Sequence, residues 1–204
     1  MEFIEFFNQI ENILQAFIQE DSTPVNQSLH NSICFYPGTF NPWHEGHQSC
    51  VLLHQQYFPE IPLMILPDIN PQKSLSSQNY SIAIPGQHSS IRLSTLFRQL
   101  NRTNPTFTWL EFLRIHAPQL RLGLIMGLDS YLALPSWIHY QKVLSNLSFI
   151  EVVNRDIKHL EQSLTSIDQN YLQINSLLQI HHLDNNPYPQ LSSTILRQKR
   201  VSKS

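Results

Sequence analysis

Cysteine is nearly missing from this chain: Cys34 and Cys50 are the only two in 204 residues. Two thiols cannot make a disulfide framework, so the sequence points to a reducing compartment, the cytoplasm, with both thiols buried and free. Charge is sparse too, at 14% of residues, and thirteen Lys+Arg against fifteen Asp+Glu leave a formal net charge of −2. No basic tract is dense enough to neutralise a row of phosphates, because the cluster of Arg197, Lys199, Arg200 and Lys203 is short. No nucleic-acid partner is therefore expected. Nor does any apolar run reach the ~18 residues that a membrane-spanning helix needs. The opening segment is too acidic and too often interrupted by polar residues for an ordinary signal peptide. Internal repeats are absent, and the length suits one domain with a substantial core.

What the chain does have is one dense stretch. Tyr36-Pro37-Gly38-Thr39-Phe40-Asn41-Pro42-Trp43-His44-Glu45-Gly46-His47 follows the short apolar run Ile33 to Tyr36 and precedes a helical pattern. The order strand, tight loop, helix start brings unpaired backbone N–H groups and the positive end of a helix dipole to one place, which favours an anion. The glycine spacing fits neither GxGxxG nor GxxxxGK[ST], so a different phosphate-binding loop is implied. His44 and His47 are three apart and share one helical face, where they can donate hydrogen bonds to phosphate oxygens. Gly46 between them allows a ligand close to the backbone. The same pair could be metal ligands, but HxxH with no third His, Cys or carboxylate at ligand spacing argues weakly for zinc, and no metal site is expected.

The remaining pattern alternates apolar runs with amphipathic segments. Phe3, Ile4, Phe6, Phe7, Ile10, Ile13, Leu14, Phe17 and Ile18 fall at helical spacing opposite an acidic and polar face. This helix is expected to dock on the domain's own core, with a subunit interface as the competing expectation. Cys50 to Leu53 and Tyr57 continue the helix that starts near His44. Ile61 to Leu66 predicts a second buried strand, parallel to the first. Pro67 to Tyr80 is a long polar loop, a common place for ligand contacts. Ile91, Leu93, Leu96, Phe97 and Leu100 predict a helix, and Phe107 to Ile115 another. Leu122 to Gly127 and Leu147 to Val153 predict the third and fourth strands. A mixed helical and irregular segment follows from Ile157 to Leu177, then a short last strand over Leu178 to Leu183. Ser192-Ser193-Thr194 at a helix cap, with Arg197 on the same face, forms a second anion-suited helix start, since the planar Arg fork matches phosphate oxygens. Two such starts favour a nucleoside triphosphate.

Gly38, Thr39, Phe40, Asn41, Pro42, His44, Gly46 and His47 resemble the G-[ST]-F-[DN]-P-x-[HT]-x-G-H signature of the nucleotidyltransferase α/β-phosphodiesterase superfamily. Gly127-Leu128-Asp129 with Trp137, the Leu191 to Arg197 segment, and the Pro67 to Lys73 loop are similar to elements of the nicotinate or nicotinamide mononucleotide adenylyltransferases. The resemblance covers about Ile33 to Arg197. It implies an α/β, Rossmann-like, doubly wound and mainly parallel sheet over residues 31–204, preceded by an extra N-terminal amphipathic helix and connector over 1–30. It also implies an enzyme of NAD biosynthesis that transfers AMP from MgATP to a pyridine mononucleotide, with no tightly bound cofactor. By the same resemblance His44, His47 and Arg197 would be catalytic. Gly38, Thr39, Phe40, Gly46, Gly127, Asp129, Ser192, Ser193 and Thr194 would bind ATP, while Lys73 and Trp137 would bind the acceptor. A relative with another acceptor, such as phosphopantetheine, and a non-catalytic nucleotide-binding module are the alternatives.

Overall fold

The computed structural model describes residues 4–12, 31–40, 42–68, 82, 90–99, 103–154, 161–184, 186 and 187. Among these, six strands form one sheet: β1 (Ser32–Gly38), β2 (Leu63–Pro67), β3 (Ile91–Leu93), β4 (Arg121–Gly127), β5 (Phe149–Val153) and β6 (Gln179–Leu183). Their order is β3-β2-β1-β4-β5-β6, and each neighbouring pair is parallel. A parallel sheet is covered on both faces, which is why β1, β2, β4 and β5 read as near-continuous apolar runs. Alternation along each strand divides the core in two. Ile33 and Phe35, with Leu122, Leu124, Met126, Ile150 and Val152, face one cluster. Cys34, Tyr36, Ile125, Phe149 and Val153 face the other.

The helices follow from the same patterning. α1, over residues 4–12, buries Phe6 and Ile10 completely in the first cluster. The Phe6 ring lies 5.0 Å from Phe97, 5.8 Å from Trp109 and 5.9 Å from Phe35. The described part of the N-terminal helix thus docks on the domain's own core. Removing an aromatic ring from such a site costs about 3–5 kcal/mol. α2 (Glu45–Tyr57) covers the second face through Cys50, Val51 and Leu53. α3 (Leu96–Gln99), α4 (Thr106–His116), α5 (Leu128–Leu132), α6 (Tyr140–Asn146) and α7 (Glu161–Ile174) complete the described helices, with a 3-10 turn at Leu134–Ser136.

The helix expected from Ile91 to Leu100 is corrected. Ile91 and Leu93 lie in β3, whose register puts Leu63 beside Ile91 and Ile65 beside Leu93, and among the described residues of that range Leu96–Gln99 alone are helical. The reason is local. Ile91 is buried and Arg92 and Leu93 are exposed, the profile of a short edge strand, and Ser94 Oγ accepts from the Leu96 N–H at 3.5 Å to start the helix afresh. The segment read as mixed resolves into α7, and α5 and α6 between β4 and β5 were not anticipated. Both cysteines are free and buried. No helix among the described residues is long and apolar enough to cross a membrane.

Candidate active site

The sheet order places its reversal between β1 and β4, and the ladder between those strands stops short. β1 stays paired with β2 as far as Gly38 opposite Pro67, and β4 with β5 as far as Gly127 opposite Val153. Between β1 and β4 the last pair is Phe35 with Leu124. The two strands therefore part over their last three residues, each ending on a glycine, and the crevice opens between those glycines.

The β1 side is built on aromatic packing. Phe40 takes a left-handed backbone, φ 48°, and its ring folds back under the strand end. A Cβ on Gly38 would stand 2.8 Å from Phe40 Cε1, so only glycine lets the ring lie there. Tyr36, Trp43 and His47 surround that ring, with centroids at 4.9, 5.2 and 5.1 Å. The Phe40 side chain is thus a prop for the loop, and a ligand contact from this residue has to come from its backbone. On the β2 side, the Asp68 N–H donates to Gly38 O at 2.9 Å, and the Asp68 carboxylate accepts from the Asn104 side chain at 3.2 Å. This link between the end of β2 and the residues that lead into α4 had no signal in the sequence, because the partners are 36 positions apart.

α2 begins at the loop's far end. His44 is its N-cap, with Nδ1 accepting from the Gly46 N–H at 3.0 Å. A neutral imidazole that accepts at Nδ1 carries its proton on Nε2, which makes that edge a donor. The His47 ring stacks on His44, centroids 3.8 Å apart and planes at 27°. Two imidazoles thus stand side by side at the positive end of a helix, the arrangement that the spacing had suggested.

Across the gap, a Cβ on Gly127 would meet nothing within 4 Å. Asp129 follows in the first turn of α5. That short helix is held from behind: the Tyr131 hydroxyl donates to Asp168 of α7, and Asp168 also bonds His182 of β6 at 2.9 Å. The Tyr171 hydroxyl donates to Tyr131 O at 3.0 Å. Burial, then Asp168, pushes the Tyr131 phenol far above its ordinary value, and burial lifts Tyr171 to about 12. Both stay protonated donors throughout the physiological range. Trp137, at the end of the 3-10 turn, is half-buried against the first core cluster.

The structure thus brings Gly38, Thr39, Phe40, His44, Gly46 and His47 to one side of the crevice and Gly127 and Asp129 to the other. Lys73, Ser192, Ser193, Thr194 and Arg197 lie outside the described residues. A parallel sheet of this order, opening between β1 and β4 beside a histidine-bearing helix start, defines a Rossmann-like α/β protein with its ligand crevice at the switch point. The chain belongs to the cytidylyltransferase-like family, whose model matches residues 35–199.

Among similar proteins is a probable nicotinate-nucleotide adenylyltransferase of Baumannia cicadellinicola, 36% identical over 135 residues, which are 59% of this chain and 60% of that protein. A probable nicotinate-nucleotide adenylyltransferase of Leptospira interrogans is 28% identical over 189 residues, 85% of this chain and 86% of that one. Of solved structures, the Plasmodium falciparum nicotinic acid mononucleotide adenylyltransferase complexed with NaAD superposes with a TM-score of 0.61 at 21% identity, covering 83% of each chain. At that identity the superposition shows the shared fold.

Proposed function

We propose that the chain transfers the adenylyl group of MgATP to the phosphate of a pyridine mononucleotide, nicotinate mononucleotide first, and releases pyrophosphate as a step of NAD synthesis in the cytoplasm. The observation that carries this reading is the gap between Gly38 and Gly127, flanked by the stacked His44 and His47 at the start of α2. The names of the relatives in Baumannia and Leptospira point to the same chemistry.

In this reading an oxygen of the acceptor phosphate attacks the α-phosphorus, a new P–O bond forms, and the bond to the bridging oxygen breaks with its electron pair leaving on pyrophosphate. The attacking oxygen is already an anion, so no protein nucleophile and no strong base are required. What remains is positioning and stabilisation of charge. His44 Nε2 and His47 donate to the phosphate oxygens as charge moves toward the leaving group, and the magnesium that arrives with ATP neutralises the rest. Gly38, Thr39, Phe40 and Gly46 offer backbone, and Gly127 leaves room beside Asp129 for the nucleoside. Ser192, Ser193, Thr194 and Arg197 would hold the β and γ phosphates, while Lys73 and Trp137 take the acceptor.

The test is pyrophosphate release from MgATP with nicotinate mononucleotide, nicotinamide mononucleotide or phosphopantetheine supplied in turn. Release with a pyridine mononucleotide and none with phosphopantetheine is expected. Release with phosphopantetheine alone would move the chain to another acceptor class, and ATP binding without release from any acceptor would make it a nucleotide-binding module.

A further inference from the structure

The second face of the sheet holds a polar cluster for which adenylyl transfer has no use. Cys34 of β1, His54 in the last turn of α2 and Glu151 of β5 meet under α2, all within 1% of complete burial. One donor atom from each, Sγ, a ring nitrogen and a carboxylate oxygen, lies within 4.8 Å of the others.

The hydrogen bonds around His54 settle which nitrogen faces the cluster. Nε2 lies 2.8 Å from the carbonyl oxygen of Ile61, which can only accept, so Nε2 carries a proton. Nδ1 lies 2.8 Å from Glu151 Oε2. At that separation a single proton lies between the nitrogen and the carboxylate oxygen, and a metal ion bound by both would replace it. Outer N–H to a backbone carbonyl, inner nitrogen toward anionic donors, is also how metal-bound histidines are oriented. Glu151 Oε1 is buried and has no hydrogen-bond partner. The Cys34 thiol is the neighbouring donor to the Glu151 carboxylate, and a cation bound by both carboxylate oxygens would replace that proton as well.

We propose that Cys34, His54 and Glu151 form a closed structural site for zinc, with Sγ, Nδ1 and both carboxylate oxygens as its donors. One zinc replaces two protons, that of the Cys34 thiol and the one shared by His54 and Glu151. Dication, thiolate, carboxylate and neutral imidazole sum to zero charge, the condition for burial without a counter-ion. Mixed sulfur, nitrogen and oxygen ligation suits zinc and excludes magnesium or calcium, which take oxygen alone. His54 Nδ1 and Glu151 Oε2, 2.8 Å apart, are closer than the ~3.3 Å between two donors on tetrahedral zinc, so metal binding takes the place of their hydrogen bond and moves the two atoms apart. The ion would tie together the strand and the helix whose other ends carry Gly38 and His44. The three ligands stand at positions 34, 54 and 151, so no sequence spacing announces them.

The test uses the full chain, refolded with zinc or cobalt because the site is closed, then freed of loosely held metal. One equivalent of zinc should remain, and its X-ray absorption spectrum should show one sulfur with nitrogen and oxygen neighbours. The cobalt form should show a thiolate charge-transfer band and the strong visible bands of a tetrahedral site. Cys34→Ser should lose the charge-transfer band and bind zinc at least about tenfold more weakly, while Cys50→Ser keeps both. A folded wild-type chain that retains no metal, a zinc spectrum without sulfur, or a band that survives Cys34→Ser would each overturn the proposal. Because the wild-type spectrum needs no variant, the proposal is decided even if Cys34→Ser fails to fold. The readout does not depend on adenylyl transfer.

Discussion

His44 and His47 stand at the amino end of α2 and His54 in its last turn, and the three imidazoles have different surroundings. At the amino end the rings stack on each other beside a glycine-lined gap, with the helix dipole adding positive potential. At the other end His54 is 1% exposed and bonded through both nitrogens, to Ile61 O and to Glu151. One helix thus carries the same side chain as a stacked pair beside an open strand end and as a buried polar tie. What decides between them is whether the helix face looks past the strand ends or onto the sheet.

The largest effect that would break this contrast is at the buried end. In the metal-free chain, Glu151→Leu leaves His54 without its partner inside the core and should cost about 1–3 kcal/mol in urea unfolding, because an unpaired polar group remains buried. The double change His54→Leu with Glu151→Leu should recover much of that loss. A single change costing under ~1 kcal/mol would show that the pair is not coupled.

The next effect is at the open end. His47→Ala should lower kcat about a hundredfold, the loss of a donor to transition-state charge, while leaving the urea midpoint unchanged. Near-normal turnover would remove His47 from the chemistry. His44 sharpens the point, because it both caps the helix and stacks on His47. His44→Asn should keep the cap and lose activity, whereas His44→Ala should lose activity and about 1 kcal/mol of stability as well.

The smallest effect concerns His181, paired in register with Glu151 across β5 and β6. Burial, with smaller help from Arg121 and His182 and against the pull of Glu151, lowers its pKa below the usual 6.5. The unfolded chain therefore takes up this proton first. The contribution to stability is complete above pH 6.5 and is lost as pH falls through the depressed folded value. His181→Gln should flatten the acid limb of the stability profile measured by urea melts at several pH values. An unchanged limb would assign that slope to other groups.

Much of this protein is written locally. Apolar runs bounded by turn formers mark β1, β2, β4, β5 and β6, and the loop from Tyr36 to His47 declares a strand end, a tight turn and a helix start within a dozen residues. Those features follow from side-chain periodicity and backbone freedom, which act over a few positions. The edge strand Ile91–Leu93 was missed because three residues are too few to separate a period of two from a period of 3.6. Other features have no local cause at all. The divergence of β1 from β4 exists only because the sheet order makes them neighbours, and Cys34, His54 and Glu151 meet only because α2 folds over the face that β1 and β5 share. Sequence alone marked five of the six described strands and the loop whose chemistry suits an anion. Tertiary structure decided which strand ends frame the crevice and which histidine is sealed away, since both depend on packing between segments far apart in the chain.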